Sequence, residues 1–445
     1  MNNLINTNSR IYHLDVLRGL AVLGILIMNI PDFAIIEWEN SIPPIFEGHN
    51  NLNFWSWQFS YVFLDGKMRG ILSILFGASI LLFTGKTETQ FGLSTAKAYY
   101  RRMFWLLMIC LFTCYLFFCF TTVLYEYALC GMVLYFVRNL NYKWLVSLGI
   151  ICLFIFSWLA GEGFEKRKEK RENYNIAMLH KKEGKLDSSD IKVITQWSTR
   201  KKQIVEALAD AVDYSVTQME TVHSGYLGMF PVIALMTTDE LISSLPIGIL
   251  ESLGTILIGM ALFKTRYLKG ELKTNFYLIS AIILLITGAI LSNILFKTFN
   301  ILISDLSGNN YDLVNFNISY FEQTARLLLT FSYMSLFIFF AKKGLFTFLT
   351  KPLQAVGKMA ISNYIFQNFM FTLIFFGYGL DLYQSLERYQ LFLVAFAIWT
   401  VQIIFSINWL KHFQLGPVEW LWRSLIYWRK MPLKKHLISD DKRES

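Results

Sequence analysis

One apolar segment, FLDGKMRGILSILFGASILLF, carries three charged residues at alternate positions: Asp65, Lys67 and Arg69. A charged side chain at the centre of a lipid-facing helix costs about 2.5 to 3.5 kcal/mol, whereas each Leu, Ile or Phe contributes only about 0.3 to 0.6 kcal/mol. The three charges would therefore roughly cancel the apolar gain of the segment, so neighbouring helices must screen them. Ionisable residues at such positions typically mark a site that binds or transfers a polar ligand.

Two further polar residues, Asn29 and Glu126, lie inside other apolar segments, and His49 lies in the connector after the first of these. An imidazole titrates at about pH 6.5 and can act as a general base, although a connector histidine is also commonly no more than solvent-exposed. Because lipid would penalise each buried polar group separately, we expect the polar residues of the spans to converge on one internal cavity. The candidate catalytic residues are Asn29, His49, Asp65, Arg69 and Glu126.

A second group of polar residues is suited to ligand binding at the inner surface and in the middle layer. Asp15 and Arg18 lie three positions apart on one helix face and can pair, so they are either part of a site or a plain interfacial ion pair. Adjacent arginines at 101 and 102 either anchor a helix end or hold the phosphates of a cytoplasmic ligand. Amides in a span often form only helix–helix hydrogen bonds. The candidate binding residues are Arg18, Lys67, Arg101, Arg102, Asn363 and Gln367.

The composition indicates that transmembrane helices position these candidate residues. Of the 445 residues, 54% are hydrophobic and 16% are charged, and the mean hydropathy is +0.42, which excludes a soluble protein and indicates a polytopic membrane protein. We therefore predict an all-α bundle of about ten transmembrane helices. The predicted spans are 14–36, 61–84, 103–120, 121–138, 144–161, 243–263, 275–297, 324–341, 355–378 and 389–410.

The distribution of basic residues predicts the orientation. The connector at 37–53 has three Glu and no Lys or Arg, whereas the connector at 85–102 has four basic residues. Short basic loops stay in the cytoplasm, so ten spans place both termini there, in a bacterial cytoplasmic membrane. Basic residues at helix ends also account for the net charge of +9, so no nucleic-acid partner is expected. The expected partners are the bilayer and a small-molecule or glycan acceptor, and an oligomer is compatible with the sequence.

The chain divides into three parts: an N-terminal helical half at 1–161, a polar extracytoplasmic insertion at 162–223, and a C-terminal helical half at 224–445 that ends in a basic tail. Charged blocks such as EKRKEKRE favour a solvated helix in the insertion. Residues 224–238 are apolar but short and contain Pro231, which favours a re-entrant or interfacial piece. The five cysteines have no metal-ligand spacing, so no metal is expected, and soluble catalytic motifs such as GxSxG and HExxH are missing.

Four stretches resemble the YeiB-like bacterial membrane proteins, whose C-terminal half is known as domain of unknown function 418. They are HLDVLRGLAVLGILIMNI (13–30), FLDGKMRGILSILFGAS (63–79), VGKMAISNYIFQN (356–368) and AIWTVQIIFSINWLKHFQLGPVEWLWRSLIYW (397–428). The LDxLRGxAxxGI pattern is also similar to that of transmembrane acyltransferases, including heparan-α-glucosaminide N-acetyltransferase. This resemblance matches Arg18 and Asn29 to shared positions and implies that Asn29 lies in the active-site region.

The resemblance implies an acyltransferase that takes an acyl group from cytoplasmic acyl-CoA and delivers it to an extracytoplasmic acceptor such as a sugar. Basic residues would hold the phosphates, Asn29, Asp65 and Arg69 would surround the carbonyl, and His49 or Glu126 would deprotonate the acceptor. The alternative is a transporter or exporter of a small polar solute through the same cavity. A third possibility is a sensor or scaffold whose polar insertion contacts a partner.

Overall fold

A computed structural model describes residues 12–36, 39–40, 43, 47–48, 50–90, 95–117, 123–304 and 318–434. Within these ranges the ordered elements are helices, apart from one isolated bridge between Phe413 and Lys434, so the prediction of an all-α protein is confirmed. The main helices are α1 (Tyr12–Ala34), α2 (Leu52–Phe59), α3 (Lys67–Gln90), α4 (Thr95–Phe117), α5 (Val123–Val137), α6 (Tyr142–Lys182), α7 (Ser188–His223), α8 (Tyr226–Ser243), α9 (Leu245–Lys264), α10 (Thr274–Ser304), α11 (Ile318–Lys343), α12 (Thr347–Lys358), α13 (Ala360–Phe375), α14 (Arg388–His412) and α15 (Pro417–Tyr427).

Eight helical segments of the described chain are long and apolar enough to cross a membrane, so the chain is a multi-pass membrane protein. They are Tyr12–Ala34, Leu52–Gly85, Thr95–Phe117, Tyr142–Glu162, Leu245–Lys264, Thr274–Asn300, Tyr320–Lys343 and Arg388–His412. The other two predicted spans, 121–138 and 355–378, do not form single helices of membrane-spanning length. Helix α5 has 15 residues, or about 22 Å of a hydrocarbon layer of about 30 Å, and the span predicted at 355–378 is divided between α12 and α13.

The division between α12 and α13 has a physical cause in α15. The carboxylate of Glu419 accepts hydrogen bonds from the backbone N–H groups of Ile361 at 2.7 Å and Ser362 at 3.1 Å, and from the Ser362 hydroxyl. These N–H groups open α13 and have no partner within the helix, so Glu419 caps α13 from a different helix. Burial raises the pKa of the Glu419 carboxyl, and the hydrogen bonds that it accepts oppose this rise.

The polar insertion forms a helical hairpin. Helix α6 continues beyond its apolar part to Lys182, and α7 begins after a turn in which Gly184 has φ +71° and Asp187 caps the new helix. Residues 224–238 lie in α8, an 18-residue helix that contains Pro231 and leaves Leu227 and Leu235 exposed. That α8 lies at the membrane interface and that the hairpin lies outside the cytoplasm remain predictions.

Glycines set the closest helix crossings. A Cβ on Gly77 of α3 would collide with the carbonyl oxygen of Ile256 in α9. Likewise, a Cβ on Gly259 of α9 would collide with the carbonyl oxygen of Ile74 in α3. In the same way, a Cβ on Gly357 of α12 would collide with a carbonyl oxygen of α1. Small residues let helices approach closely in a membrane, where packing rather than hydrophobic driving force holds them together.

We therefore expect Gly259→Ala to lower the free energy of unfolding by about 1 to 3 kcal/mol, because the added methyl group forces the α3 and α9 backbones apart. The matched control is Gly85→Ala in α3, where no atom lies within 4 Å of the new Cβ. Thermal unfolding followed by size-exclusion chromatography in detergent measures the difference. Equal midpoints for the two variants would contradict the close crossing.

Candidate functional site

The second apolar segment is broken at the three predicted charges. Helix α2 ends in a π-helical turn, Ser60–Leu64, and α3 begins only at Lys67, after Gly66 with φ +70°. Two of the carbonyl groups near the break find side-chain donors: Lys67 Nζ donates to the Tyr61 oxygen at 2.6 Å and Tyr333 OH donates to the Phe63 oxygen at 2.9 Å. Interrupted helices within a membrane are tolerated only when the freed backbone groups are satisfied in this way, and they commonly line binding sites.

A cavity of about 340 Å³ lies beside this break. Its walls come from the C-terminal half of α1, the break itself and the start of α14. A volume of this size suits a small ligand, and the mixed polar and apolar walls suit a ligand with hydrogen-bonding groups. The polar side chains that line it include Asn29, Asp32, Asn40, Tyr61, Asp65, Arg69 and Arg388.

An ion-pair network connects the cavity wall to two further helices, α9 and α11. Arg326 of α11 contacts Asp65 at 3.0 Å, Glu322 at 2.7 Å and Glu251 of α9 at 3.8 Å. Glu251 also pairs with Arg69. Each charge is thus opposed by at least one charge of the other sign, which is the condition for placing ionised groups inside a bundle.

Two further predicted residues, Lys67 and Glu126, lie just behind the cavity wall. Lys67 is 2% exposed, and its ammonium group lies 5.7 Å from the centre of the Tyr61 ring, so it supports the π-helical turn. Glu126 accepts a hydrogen bond from Ser252 and acts electrostatically on Arg69. His49 lies outside the described residues.

The outer rim of the cavity is held by Arg388 at the start of α14. Its guanidinium donates to the Glu47 carboxylate at 2.9 Å and to Asn40 Oδ1 at 2.9 Å, and Asn40 in turn donates to Asp32 at 2.8 Å. This chain of contacts joins α14 to the connector after α1. It fixes the end of α1 where Asn29 and Asp32 face the cavity.

The structure does not bring the other predicted binding residues to this cavity. Arg18 pairs with Asp15 at 3.0 Å, eleven residues before Asn29 on the same helix, which is about 16 Å. Asn363 donates to Val356 O and Ser406, and Gln367 donates to Val22 O and Gln402, so both amides form helix–helix hydrogen bonds.

The two adjacent arginines of α4, Arg101 and Arg102, contact different parts of the protein and do not reach the cavity. Arg101 donates to the Ile426 oxygen at 3.4 Å and lies over the Trp428 ring, so it contacts the end of α15. Arg102 donates to the carbonyl and hydroxyl oxygens of Ser79. The predicted polar residues therefore do not all converge on one cavity: Asn29, Asp65 and Arg69 line it, whereas Arg18, Arg101, Arg102, Asn363 and Gln367 have partners elsewhere.

The candidate residues chosen from the sequence omit several residues of the site. Glu251 stands alone within an apolar segment and Arg326 lies near the end of another, so the argument that selected Asp65 applies to them equally. Asp32 and Arg388 lie at the ends of apolar segments, where a charge is unremarkable, and only the folded structure reveals their position. Among the residues that the structure describes, no group of three His, Cys, Asp or Glu side chains could hold a metal ion.

Two known proteins are similar to this chain over nearly its full length, and a third is similar over a short stretch. The uncharacterized protein YxaH of Bacillus subtilis is 25% identical over 439 residues, covering 96% of this chain and 97% of YxaH. The uncharacterized protein YeiB of Escherichia coli is 25% identical over 424 residues, covering 93% and 95% of the two chains. An uncharacterized 39.9 kDa protein from the amylase 3′ region of Bacillus acidopullulyticus is 39% identical over 85 residues, covering 19% of this chain and 24% of that protein.

No solved structure matches the chain significantly. Residues 253–429, which include Arg326, Asn363, Gln367 and Arg388, match the family described as a protein of unknown function, DUF418. Residues 253–429 therefore carry a DUF418 region, and over nearly its full length the chain is similar to the YeiB-like proteins YxaH and YeiB.

Proposed function

We propose that the cavity binds a small polar acyl acceptor and that the protein is a transmembrane acyltransferase using acyl-CoA from the cytoplasm. The observation that carries the proposal is the position of Asn29. Its sequence context resembles the active-site region of transmembrane acyltransferases, and independently of that resemblance its side chain lines the same cavity as Asp65 and Arg69. An amide, a carboxylate and a guanidinium around one cavity are the groups that acyl transfer needs.

The reaction assigned to these groups is nucleophilic attack of an acceptor hydroxyl or amine on the thioester carbonyl carbon. A bond forms from the acceptor oxygen or nitrogen to that carbon, and the carbon–sulfur bond breaks, leaving its electron pair on the thiolate of coenzyme A. The acceptor proton passes to a wall carboxylate, Asp65 or Asp32, and the thiolate takes up a proton from water. Asn29 and Arg69 donate hydrogen bonds to the carbonyl oxygen as negative charge develops on it.

The ion pairs around Arg69 hold its guanidinium in place, which suits it to donate a hydrogen bond to the carbonyl oxygen. Glu251 holds the Arg69 guanidinium, and Arg326 holds both Glu251 and Asp65. Tyr127 OH donates to the Arg69 carbonyl oxygen at 3.1 Å, which fixes the backbone as well. Donors that are already oriented before the reaction need no reorganisation when charge develops.

A second candidate function is transport of a small polar solute, and the broken helix favours it. Discontinuous helices whose unwound backbone faces a central site are typical of secondary transporters. Proteoliposomes distinguish the two functions. Accumulation of a labelled solute without an acylated product selects transport, whereas thiol release from acyl-CoA with an acylated product selects acyl transfer.

We expect Asn29→Ala to slow acyl transfer by about 10² to 10³-fold, because it removes a donor to the developing oxyanion. Detergent-purified protein is incubated with acetyl-CoA and a polar extract of bacterial envelopes, and released thiol and acetylated products are measured. The matched control is Asn141→Ala, at an exposed position whose side chain forms no capping hydrogen bond. Wild-type protein without thiol release, or an Asn29→Ala variant at the wild-type rate, would refute the acyltransferase.

The helix break itself is tested by Gly66→Ala. Alanine at positive φ costs about 1 to 2 kcal/mol, and here the new Cβ would also strike the Cδ and Nε atoms of Arg326 and displace its ion pairs. We expect loss of the polar ligands that the purified wild-type protein retains, as detected by mass spectrometry.

The control for this variant is Gly184→Ala, which has the same strain at φ +71° but no atom within 4 Å. It should retain the ligands. If Gly66→Ala retains them too, the cavity beside the break is not the ligand site.

A further inference from the structure

Helix α13 carries several buried polar side chains, and one of them differs from the others. Asn363 and Gln367 are hydrogen-bonded to neighbouring helices. Ser362 and Thr372 also donate to acceptors of the protein. Asn368 is 0% exposed, and among the described residues neither its Oδ1 atom nor its Nδ2 atom has a hydrogen-bond partner. Burying an amide without hydrogen bonds costs free energy, so the fold alone does not account for this side chain.

Asn368 lies at the depth of the cavity wall that α1 forms. Gln367 donates to the Val22 carbonyl oxygen at 3.0 Å, and the ring of Phe371 lies 5.0 Å from that of Phe33. Helices α1 and α13 therefore run side by side in the same direction. Because Asn368 lies between Gln367 and Phe371, it is beside the part of α1 between Val22 and Phe33. That part of α1 supplies one wall of the cavity.

The face of α13 that carries Asn368 packs against the same wall. Residues three and four positions apart share a helix face, so Asn368 lies on one face with Tyr364 and Phe371. Tyr364 and Phe371 belong to two apolar clusters, and both clusters contain residues that line the cavity. These cavity-lining members are Ile25, Met68, Ile27 and Ile30. Asn368 thus lies behind the apolar part of the cavity wall.

The two unpaired atoms define the chemical group that can pair with them. The Oδ1 atom of Asn368 accepts hydrogen bonds and the Nδ2 atom donates them. An ammonium group only donates and an ionised phosphate mainly accepts, so neither satisfies both atoms. A secondary amide has one N–H and one carbonyl oxygen and satisfies both. It is also uncharged, which suits the interior of a membrane bundle.

We propose that Asn368 binds a secondary amide in the arm of the acyl-CoA donor, the chain that joins the thioester to the nucleotide. This inference rests on the proposed function. A donor that enters from the cytoplasm and reaches Asn29 passes through the middle of the bundle, where the amides of its arm also need partners. Hydrogen bonds between one of these amides and Asn368 satisfy both groups. Met68 lines the cavity on this side, and its unbranched, flexible side chain can move to admit the arm.

Thermal unfolding in detergent tests whether the Asn368 amide stabilises the fold. Asn368→Leu and Asn363→Leu make the same change in volume at two buried positions of α13. Asn363→Leu removes hydrogen bonds to Val356 O and Ser406, so its midpoint should fall by about 2 °C or more. Asn368→Leu removes no hydrogen bond within the protein, so it should unfold at a higher temperature than Asn363→Leu. Equal midpoints would make the Asn368 amide a structural contact and would overturn the inference.

Calorimetry with acetyl-CoA and the full-length protein in detergent tests the ligand contact. We expect Asn368→Leu and Asn368→Ala to weaken binding about tenfold, because each removes the hydrogen bonds to the ligand amide. Asn141→Leu, at an exposed position, is the matched control and should bind as the wild type does.

The results separate this contact from the proposed function. Weaker binding by both Asn368 variants, with Asn141→Leu unchanged, supports the contact. Wild-type affinity in the Asn368 variants overturns the contact and leaves the acyltransferase in place. A wild-type protein that does not bind acetyl-CoA overturns both.

Discussion

Ionised side chains inside a membrane bundle must be opposed by other charges, and Arg326 satisfies this condition for several helices at once. It contacts Asp65 at the helix break, Glu322 on its own helix and Glu251 on α9, and Glu251 contacts Arg69. Removing one member of a buried ion pair costs about 3 to 5 kcal/mol, because the other charge is then left without compensation. The buried charges at the break are therefore interdependent.

Helix α1 carries polar residues near both of its ends. Asn29 lies in the cavity wall near one end, and Arg18 lies near the other end with Asp15. Between Arg18 and Asn29, α1 packs into an apolar cluster through Ala21 and Ile25. In the acyl transfer proposed above, an acyl group would have to cross this layer, so the distance of about 16 Å between Arg18 and Asn29 constrains that proposal.

Hydropathy and the positions of charges within the apolar segments were sufficient to predict the helical membrane bundle and the proximity of Asp65 and Arg69 to Asn29. The same reasoning did not predict the division of the span at 355–378, because the Glu419 carboxylate that caps α13 comes from a helix about 60 residues later in the chain. It also could not separate Asn363 and Gln367 from the site. An amide that binds a ligand and an amide that joins two helices have the same sequence signal, and only the partners Ser406 and Gln402 distinguish them.

The interdependence of the buried charges is tested most directly by a double-mutant cycle on Arg69→Gln and Glu251→Gln. The free energy of unfolding is measured for the wild type, both single variants and the double variant in detergent. We predict a cost of about 3 to 5 kcal/mol for each single variant and a much smaller cost for the double variant than their sum. The exposed pair of Arg266 and Glu271, at 3.4 Å, serves as the control and should contribute at most about 1 kcal/mol. Additive costs at Arg69 and Glu251 would contradict a paired network and, with it, the account of the cavity.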